Sequence, residues 1–230
     1  MDTPKTAGSV RKRTLLEIVF ECITVVVHIL ALGLTIFIIY LCFLDDSFNL
    51  RTWHVLLYTV GWTLLMTEGI LTVVKENIFT KRLQQPTRVH IHWATLLLAT
   101  ELIIGGLGTI VWNRSRVIGS HFLTEHGISG ILATVCAFVT VLNGVPALYS
   151  AQLRKIISPN INKLFHAFFG FVTVVAGAYA TITGYYTGWF RNRSSDTVII
   201  VCFIITLALT LWCMVRPLVN GFTRVRNLCN

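Results

Sequence analysis

The chain has 230 residues, of which 54% are hydrophobic and only 13% are charged, and its mean hydropathy is +0.71. Soluble domains carry about 25% charged residues, so this composition excludes an ordinary water-soluble protein. The formal net charge of +9 does not indicate a nucleic-acid partner, because membrane proteins concentrate Lys and Arg in the loops on one face of the bilayer.

Six apolar stretches are each long enough to cross a membrane as a helix, which needs about 20 residues. They predict an all-α, polytopic membrane protein built as a six-helix bundle. The bundle occupies residues 15–218, with tails at 1–14 and 219–230, and leaves no room for a separate soluble domain. The first stretch is longer than the apolar part of a cleaved signal peptide. In chain order the stretches are 15–43, 53–74, 91–112, 124–148, 163–189 and 197–218.

The charges of the loops predict the orientation of the chain. Fourteen of the 19 Lys and Arg residues lie on the face that holds both termini, and positively charged loops stay in the cytosol. Both termini are therefore predicted to be cytosolic. Two glycosylation sequons, which begin at Asn113 and Asn192, lie in loops on the opposite face. The sequence leaves the choice open between an endomembrane, such as the endoplasmic reticulum or a vesicle, and the plasma membrane.

Four histidines stand near the start of four successive spans, the second to the fifth. Because successive helices run in opposite directions, His54 and His126 are predicted near the outer face, and His92 and His166 near the cytosolic face. An ionisable residue inside a membrane indicates function, and two imidazoles on different helices suit the two axial positions of a haem iron. The alternative is that these histidines cap helices or bind neighbouring carbonyl groups.

Two further features leave more than one interpretation. His90 competes with His92 for the cytosolic position, and His121 competes with His126 for the outer one. Small residues share the helix faces of His126 and His166, which would leave room for a flat macrocycle between the helices. Direct packing of helices through small residues gives the same pattern. These residues are Gly130, Ala133, Ala137 and Gly144 in the fourth span, and Gly170, Gly177, Gly184 and Gly188 in the fifth.

Short motifs around the histidines, in their order and spacing, resemble the cytochrome b561 family, especially its short members, the cytochrome b561 domain-containing proteins. The resemblance covers nearly the whole chain. One departure is Val55, where many members have proline. The segments that carry the resemblance are VHILALG at 27–33, Trp53-His54, MTE at 66–68, His92-Trp93, TEHG at 124–127 and KLFH at 163–166.

The resemblance implies an ascorbate-dependent transmembrane reductase with two haem b groups per chain. It implies His54 and His126 as ligands of the outer haem, and His92 and His166 as ligands of the cytosolic haem. Single electrons would pass from cytosolic ascorbate through the inner site and then the outer site. The acceptor in this family is monodehydroascorbate or a ferric complex.

Basic residues near the cytosolic histidines are predicted to bind ascorbate, which is an anion at neutral pH. Arg88 lies four residues before His92, and Lys163 lies three before His166. The resemblance implies that both are placed as in the family. The positive-inside rule alone would also put these charges on the cytosolic face.

On the outer face, Arg114, Arg116 and His121 are predicted to surround the entrance above His126 and to bind the acceptor. His90 and His121, which the resemblance does not make ligands, are substrate-side candidates or solvated loop residues. The family also forms homodimers, and the sixth span, which offers no ligand, would pack against the bundle or mediate dimerisation. The alternative functions are a haem-free transporter of small solutes or metal ions and a haem-free membrane scaffold.

Overall fold

A computed structural model describes residues 14–44, 49–116 and 123–229. Six helical segments in these ranges are long and apolar enough to span a membrane, and no strand occurs in them, which confirms the predicted all-α bundle. The second span, Leu50–Leu71, consists of three helical pieces. The elements are α1 Leu15–Cys42, α2 Leu50–Tyr58, a π-helical segment Thr59–Met66, α3 Thr67–Leu71, α4 Gln85–Ser115, α5 Glu125–Leu148, a 3₁₀ turn Gln152–Lys155, α6 Pro159–Tyr185, α7 Gly188–Arg191 and α8 Asp196–Cys229.

The six spans pack as a closed ring in which each span contacts the next, and α8 closes the ring against α1. One apolar cluster joins α1, α3 and α8. A second cluster joins the π segment to α4, α5 and α6. We call the end of the bundle with the α1–α2 connection the outer end, and the end where α1 begins the inner end.

Side-chain caps set the start of three helices. Thr14 and Glu17 form a reciprocal capping box at the start of α1. The side-chain oxygens of Asn49 and Thr124 accept hydrogen bonds from the first free backbone N–H groups of α2 and α5. His54 and His126 lie near the starts of α2 and α5, so these caps help to fix the positions of both side chains.

Most span boundaries lie within four residues of the prediction, and two differ by more. α4 begins at Gln85 rather than at residue 91, because a proline in its first turn is compatible with a helix start. His90 is therefore helical and not in a loop, and its exposed ring accepts a hydrogen bond from Trp93 Nε1 at 3.2 Å. α8 continues past residue 218 to Cys229, so residues 219–229 extend the last helix.

The second span changes its winding at its centre. Thr59–Met66 is a π-helix, a rare form in proteins that is frequently found near functional sites. Trp62 of this segment packs against α6, where its ring occupies the position that a Cβ at residue 177 would take. Only a glycine at 177 leaves room for this indole. The π segment thus places a large aromatic ring in the centre of the second cluster.

Candidate functional site

Two imidazoles from different helices face each other at the outer end. The ring centroids of His54 in α2 and His126 in α5 are 6.0 Å apart. His54 Nδ1 lies 3.0 Å from the Gly106 carbonyl oxygen of α4, and His126 Nδ1 lies 3.0 Å from the Ala180 carbonyl oxygen of α6. A carbonyl oxygen can only accept, so Nδ1 carries the proton in both rings. Nε2 of each ring is therefore left as the metal-binding nitrogen.

A second pair lies at the inner end. The ring centroids of His92 in α4 and His166 in α6 are 6.4 Å apart. His92 Nδ1 donates to the Gly69 carbonyl oxygen of α3 at 2.8 Å. His166 Nδ1 approaches the Thr140 carbonyl of α5 without completing a hydrogen bond. Helix carbonyls thus hold three of the four imidazoles in one tautomer.

The two pairs lie at different depths in the bundle. His92 and Gly106, whose carbonyl holds His54, are fourteen residues apart on α4. At 1.5 Å per residue this separation is about 21 Å. His166 and Ala180 have the same separation on α6. One pair therefore lies towards each surface of a membrane whose apolar core is about 30 Å thick.

The distances within the pairs fit two axial ligands of one metal ion. A metal–imidazole bond is about 2.0 to 2.1 Å long, so two rings on opposite sides of one ion have centroids about 6 to 6.5 Å apart. Both observed distances, 6.0 and 6.4 Å, agree with this geometry. Within the described ranges, no group of three His, Cys, Asp or Glu side chains is arranged to hold an ion. Two imidazoles on different helices can serve as the two protein ligands of a haem iron.

Small residues in α5 and α6 serve the histidines in two ways. A Cβ at Gly184 would lie 3.2 Å from His126 Cε1, and a Cβ at Gly144 would lie 3.4 Å from His166 Cε1. These glycines let each ring lie close to the facing helix. Gly130 has open space at its Cβ position and lines a cavity. Gly177 instead accommodates an aromatic side chain, so the small-residue pattern combines helix packing with room for a ligand.

A cavity of about 1250 Å³ opens beside the outer pair. Its walls include His54, His126, Tyr58 and Trp62. Small-molecule sites in proteins usually enclose about 300 to 1000 Å³, so this space is large enough for a planar macrocycle. The Tyr58 hydroxyl is hydrogen-bonded to Thr134 Oγ1 at 2.6 Å, which fixes one wall of the cavity.

The two residues predicted to bind ascorbate lie in different environments. Lys163 is exposed near the start of α6. Arg88 is only 6% exposed, and its Nε donates to the Thr72 carbonyl oxygen at 3.1 Å, just beyond the end of α3. Arg88 Nη2 is buried and has no hydrogen-bond partner within the described part of the chain. The buried Arg88 side chain therefore links the first turn of α4 to the inner end of the second span.

The residues predicted for the outer acceptor are only partly brought together. Arg114 lines the outer cavity. Arg116 lies over the ring of Trp112, 5.2 Å from its centroid, and does not line the cavity. His121 lies outside the described residues.

Two further cations line the outer cavity and were missed by the sequence reasoning. Arg51 lies three residues before His54, which repeats the spacing of Lys163 and its histidine, and this repeat could have been used as a signal. Arg193 reaches the cavity from beyond α7, held over the Trp189 ring at 4.4 Å and bonded to the Trp189 carbonyl. No sequence pattern pointed to this second arginine.

A six-span bundle with a cross-helix imidazole pair near each membrane surface is the architecture of a membrane protein that binds haem. The family model described as eukaryotic cytochrome b561 matches residues 53–191, a range that contains all four histidines. The chain belongs to the cytochrome b561 family.

Curated relatives agree with this assignment. The transmembrane reductase CYB561D2 of Homo sapiens is 32% identical over 163 residues, which is 71% of this chain and 72% of that protein. The Bos taurus protein of the same name is 31% identical over 182 residues, 78% of this chain and 81% of its own. The probable transmembrane reductase CYB561D1 of Mus musculus is 27% identical over 178 residues, 77% and 76% of the two chains. No solved structure matches the chain.

Family, relatives and fold together identify a multi-pass transmembrane oxidoreductase from a haem b family. The haem-free transporter and the haem-free scaffold are not favoured by these relatives, which are named as reductases.

Proposed function

We propose that this protein passes single electrons across a membrane, from cytosolic ascorbate to monodehydroascorbate or a ferric complex on the other face. The observation that carries the proposal is the presence of two imidazole pairs at two depths, 6.0 and 6.4 Å between ring centroids. Haem b bound at these pairs would supply one-electron chemistry, with iron alternating between its ferric and ferrous states. The residues of the chain provide ligands, spacing and access.

In this proposal His54 and His126 hold an outer haem, and His92 and His166 hold an inner haem. The two pairs support the proposal of two haem b groups per chain. The Nδ1–H groups that donate to helix carbonyls fix the orientation of three rings and strengthen the imidazoles as ligands.

The donor site is proposed at the inner end. Ascorbate carries one negative charge at neutral pH, so a cation at the surface attracts it and pairs with its enolate oxygen. Lys163 is exposed and supplies that cation. Arg88, one helical turn from His92, contributes positive potential from beneath the surface.

The acceptor site is proposed at the mouth of the outer cavity. Arg51, Arg114 and Arg193 line this cavity, and Glu125 is the acidic residue among its described lining residues. The excess of positive charge favours an anionic acceptor, and both monodehydroascorbate and a carboxylate-chelated ferric ion are anions. Arg116, which does not line the cavity, and His121, which lies outside the described residues, stay candidates for this site from the sequence alone.

The direction of transfer requires cytosolic termini. The excess of Lys and Arg on the inner loops supports this orientation. Asn113 and Asn192, which begin the two sequons, both line the outer cavity, so a single face would carry both glycans. We further propose a homodimer in an endomembrane or the plasma membrane.

Sealed vesicles test this function. The purified chain is reconstituted into liposomes that are loaded with ascorbate, and ferric citrate is added outside. We expect the external ferric ion to be reduced faster than in protein-free vesicles, because electrons cross the bilayer through the protein. A matched preparation with His126→Ala should lose this reduction while its vesicles remain sealed. Equal rates with and without haem-loaded protein would contradict the proposal.

A further inference from the structure

A hydrogen-bonded histidine–glutamate pair joins α1 to α3, apart from the four paired imidazoles, and the Glu68 side chain is 30% exposed. His28 Nδ1 of α1 is 2.8 Å from Glu68 Oε1 of α3. His28 is 8% exposed, and the edge of its ring packs against Phe79 with centroids 5.0 Å apart. Its Nε2 is buried and has no hydrogen-bond partner in the described part of the chain. Ionisable side chains within a membrane are costly and usually functional.

Glu68 directly precedes the residue whose carbonyl oxygen binds His92 of the inner pair. Glu68 is followed by Gly69, whose carbonyl oxygen accepts from His92 Nδ1 at 2.8 Å and from Thr72 Oγ1 at 2.7 Å. Gly69 lies in the last turn of α3, where carbonyl groups have no partner within the helix. This oxygen is therefore available to a neighbouring span, and its direction depends on how α3 is oriented.

Neighbouring spans hold α3 in its orientation. α3 has only five residues and continues directly from the π segment, so contacts with neighbouring spans add to the backbone in fixing its rotation. Glu68 is bonded to α1. Gly69 packs so closely on α4 that a Cβ there would lie 2.6 Å from Leu96 Cδ2. Thr67 contacts the Cys213 thiol of α8. Rotation of α3 would turn the Gly69 carbonyl away from His92, and the bond to His28 opposes that rotation.

We infer that the His28–Glu68 pair positions the Gly69 carbonyl and thereby sets the reduction potential of the inner haem site. The inference rests on the proposed function, which makes His92 a haem ligand. A well-aligned bond from imidazole Nδ1–H to a carbonyl makes the imidazole a stronger electron donor, which favours ferric iron and lowers the potential. At the outer site the corresponding carbonyl, Gly106, lies within the long helix α4 and needs no such support.

Potentiometric titration of both haem sites in the purified holoprotein tests the inference. Glu68→Leu and His28→Leu should each raise the inner potential by about 28 mV, which is a threefold change in the reduction equilibrium at 59 mV per tenfold. The outer potential should not move. Glu68→Gln keeps an oxygen that accepts from His28 and should retain the parent potential. Glu101→Leu is the matched control, since Glu101 is a second carboxylate within a span, exposed on α4.

Several results would overturn the inference. If Glu68→Gln raises the inner potential as much as Glu68→Leu, the charge of the carboxylate controls that potential, and the hydrogen bond to His28 does not. Equal shifts at both sites, or no shift in either leucine variant, would also contradict it. If Glu68→Leu does not fold, His28→Leu and Glu68→Gln make the same comparison. A parent protein without haem at the inner site would remove the proposed function as well, whereas unchanged potentials with both sites loaded remove this inference alone.

Discussion

Alanine at either histidine of a pair should cause the same spectral defect, and the two pairs should cause different defects. A haem that loses one of two axial imidazoles binds weakly or becomes high-spin. His54→Ala and His126→Ala should therefore affect only the outer site, and His92→Ala and His166→Ala only the inner site. Each variant should lose, or convert to high spin, about half of the haem signal. Absorbance and electron paramagnetic resonance spectra, with haem content per chain, measure this effect.

Reduction kinetics separate the pairs further. The inner-pair variants should lose fast reduction by ascorbate, while the outer-pair variants should keep it and fail to pass the electron to an acceptor. His90→Ala is the control for the haem spectra, because this exposed histidine is bonded to Trp93 and belongs to neither pair. The pairing is wrong if His54→Ala matches His92→Ala in spectrum and kinetics while His126→Ala does not.

Arg88 and Lys163 should give different effects when each is replaced by glutamine. Arg88→Gln removes a charged donor that is buried against the Thr72 carbonyl, and loss of such a bond costs about 1 to 3 kcal/mol. It should therefore lower the thermal stability of the inner haem band. Lys163→Gln, at an exposed position, should change stability by no more than about 0.5 kcal/mol and should raise the ascorbate concentration for half-maximal reduction rate.

Thermal melts followed in the haem absorbance and stopped-flow reduction at low and high salt measure these two effects. The Lys163→Gln effect should shrink at high salt, because exposed charges are screened. The separation of roles fails if Arg88→Gln keeps the parent stability and still weakens ascorbate reduction. That result would give Arg88 a direct part in donor binding.

The spans and the depths of the histidines could be predicted because they depend on few variables. A stretch of about 20 apolar residues becomes a membrane helix largely irrespective of its neighbours. Helices that alternate in direction then bring the first and third of four histidines to one end, and the second and fourth to the other. The structure places His54 beside His126 and His92 beside His166 for this reason.

Features that depend on packing between distant segments were not predictable. The π segment has no sequence signature. Its Trp62 packs against Gly177, which lies on a helix more than a hundred residues later in the chain. Arg88 is buried against the Thr72 carbonyl, which lies just beyond the end of the second span and also accepts from Thr80 Oγ1 at 2.9 Å. Pro86 in the sequence indicates that α4 begins near residue 85, and such a start places Arg88 within the helix.

The His28–Glu68 contact illustrates the same limit. Each residue could be expected to find a partner, because an unpaired ionisable group in a membrane is costly. Forty residues separate them, and no periodicity relates their helices. Only the packing of α1 against α3 shows that they meet, and that they meet next to the carbonyl that holds His92.

Haem content and reducibility of the purified full-length chain test the central claim most directly. The paired imidazoles predict two haem b groups per chain, both low-spin in the oxidised protein and both reduced when ascorbate is added. Pyridine haemochrome analysis gives the number, and the difference spectrum gives the reduced fraction. A folded protein that binds no haem, or one whose haem stays oxidised in excess ascorbate, would contradict the account.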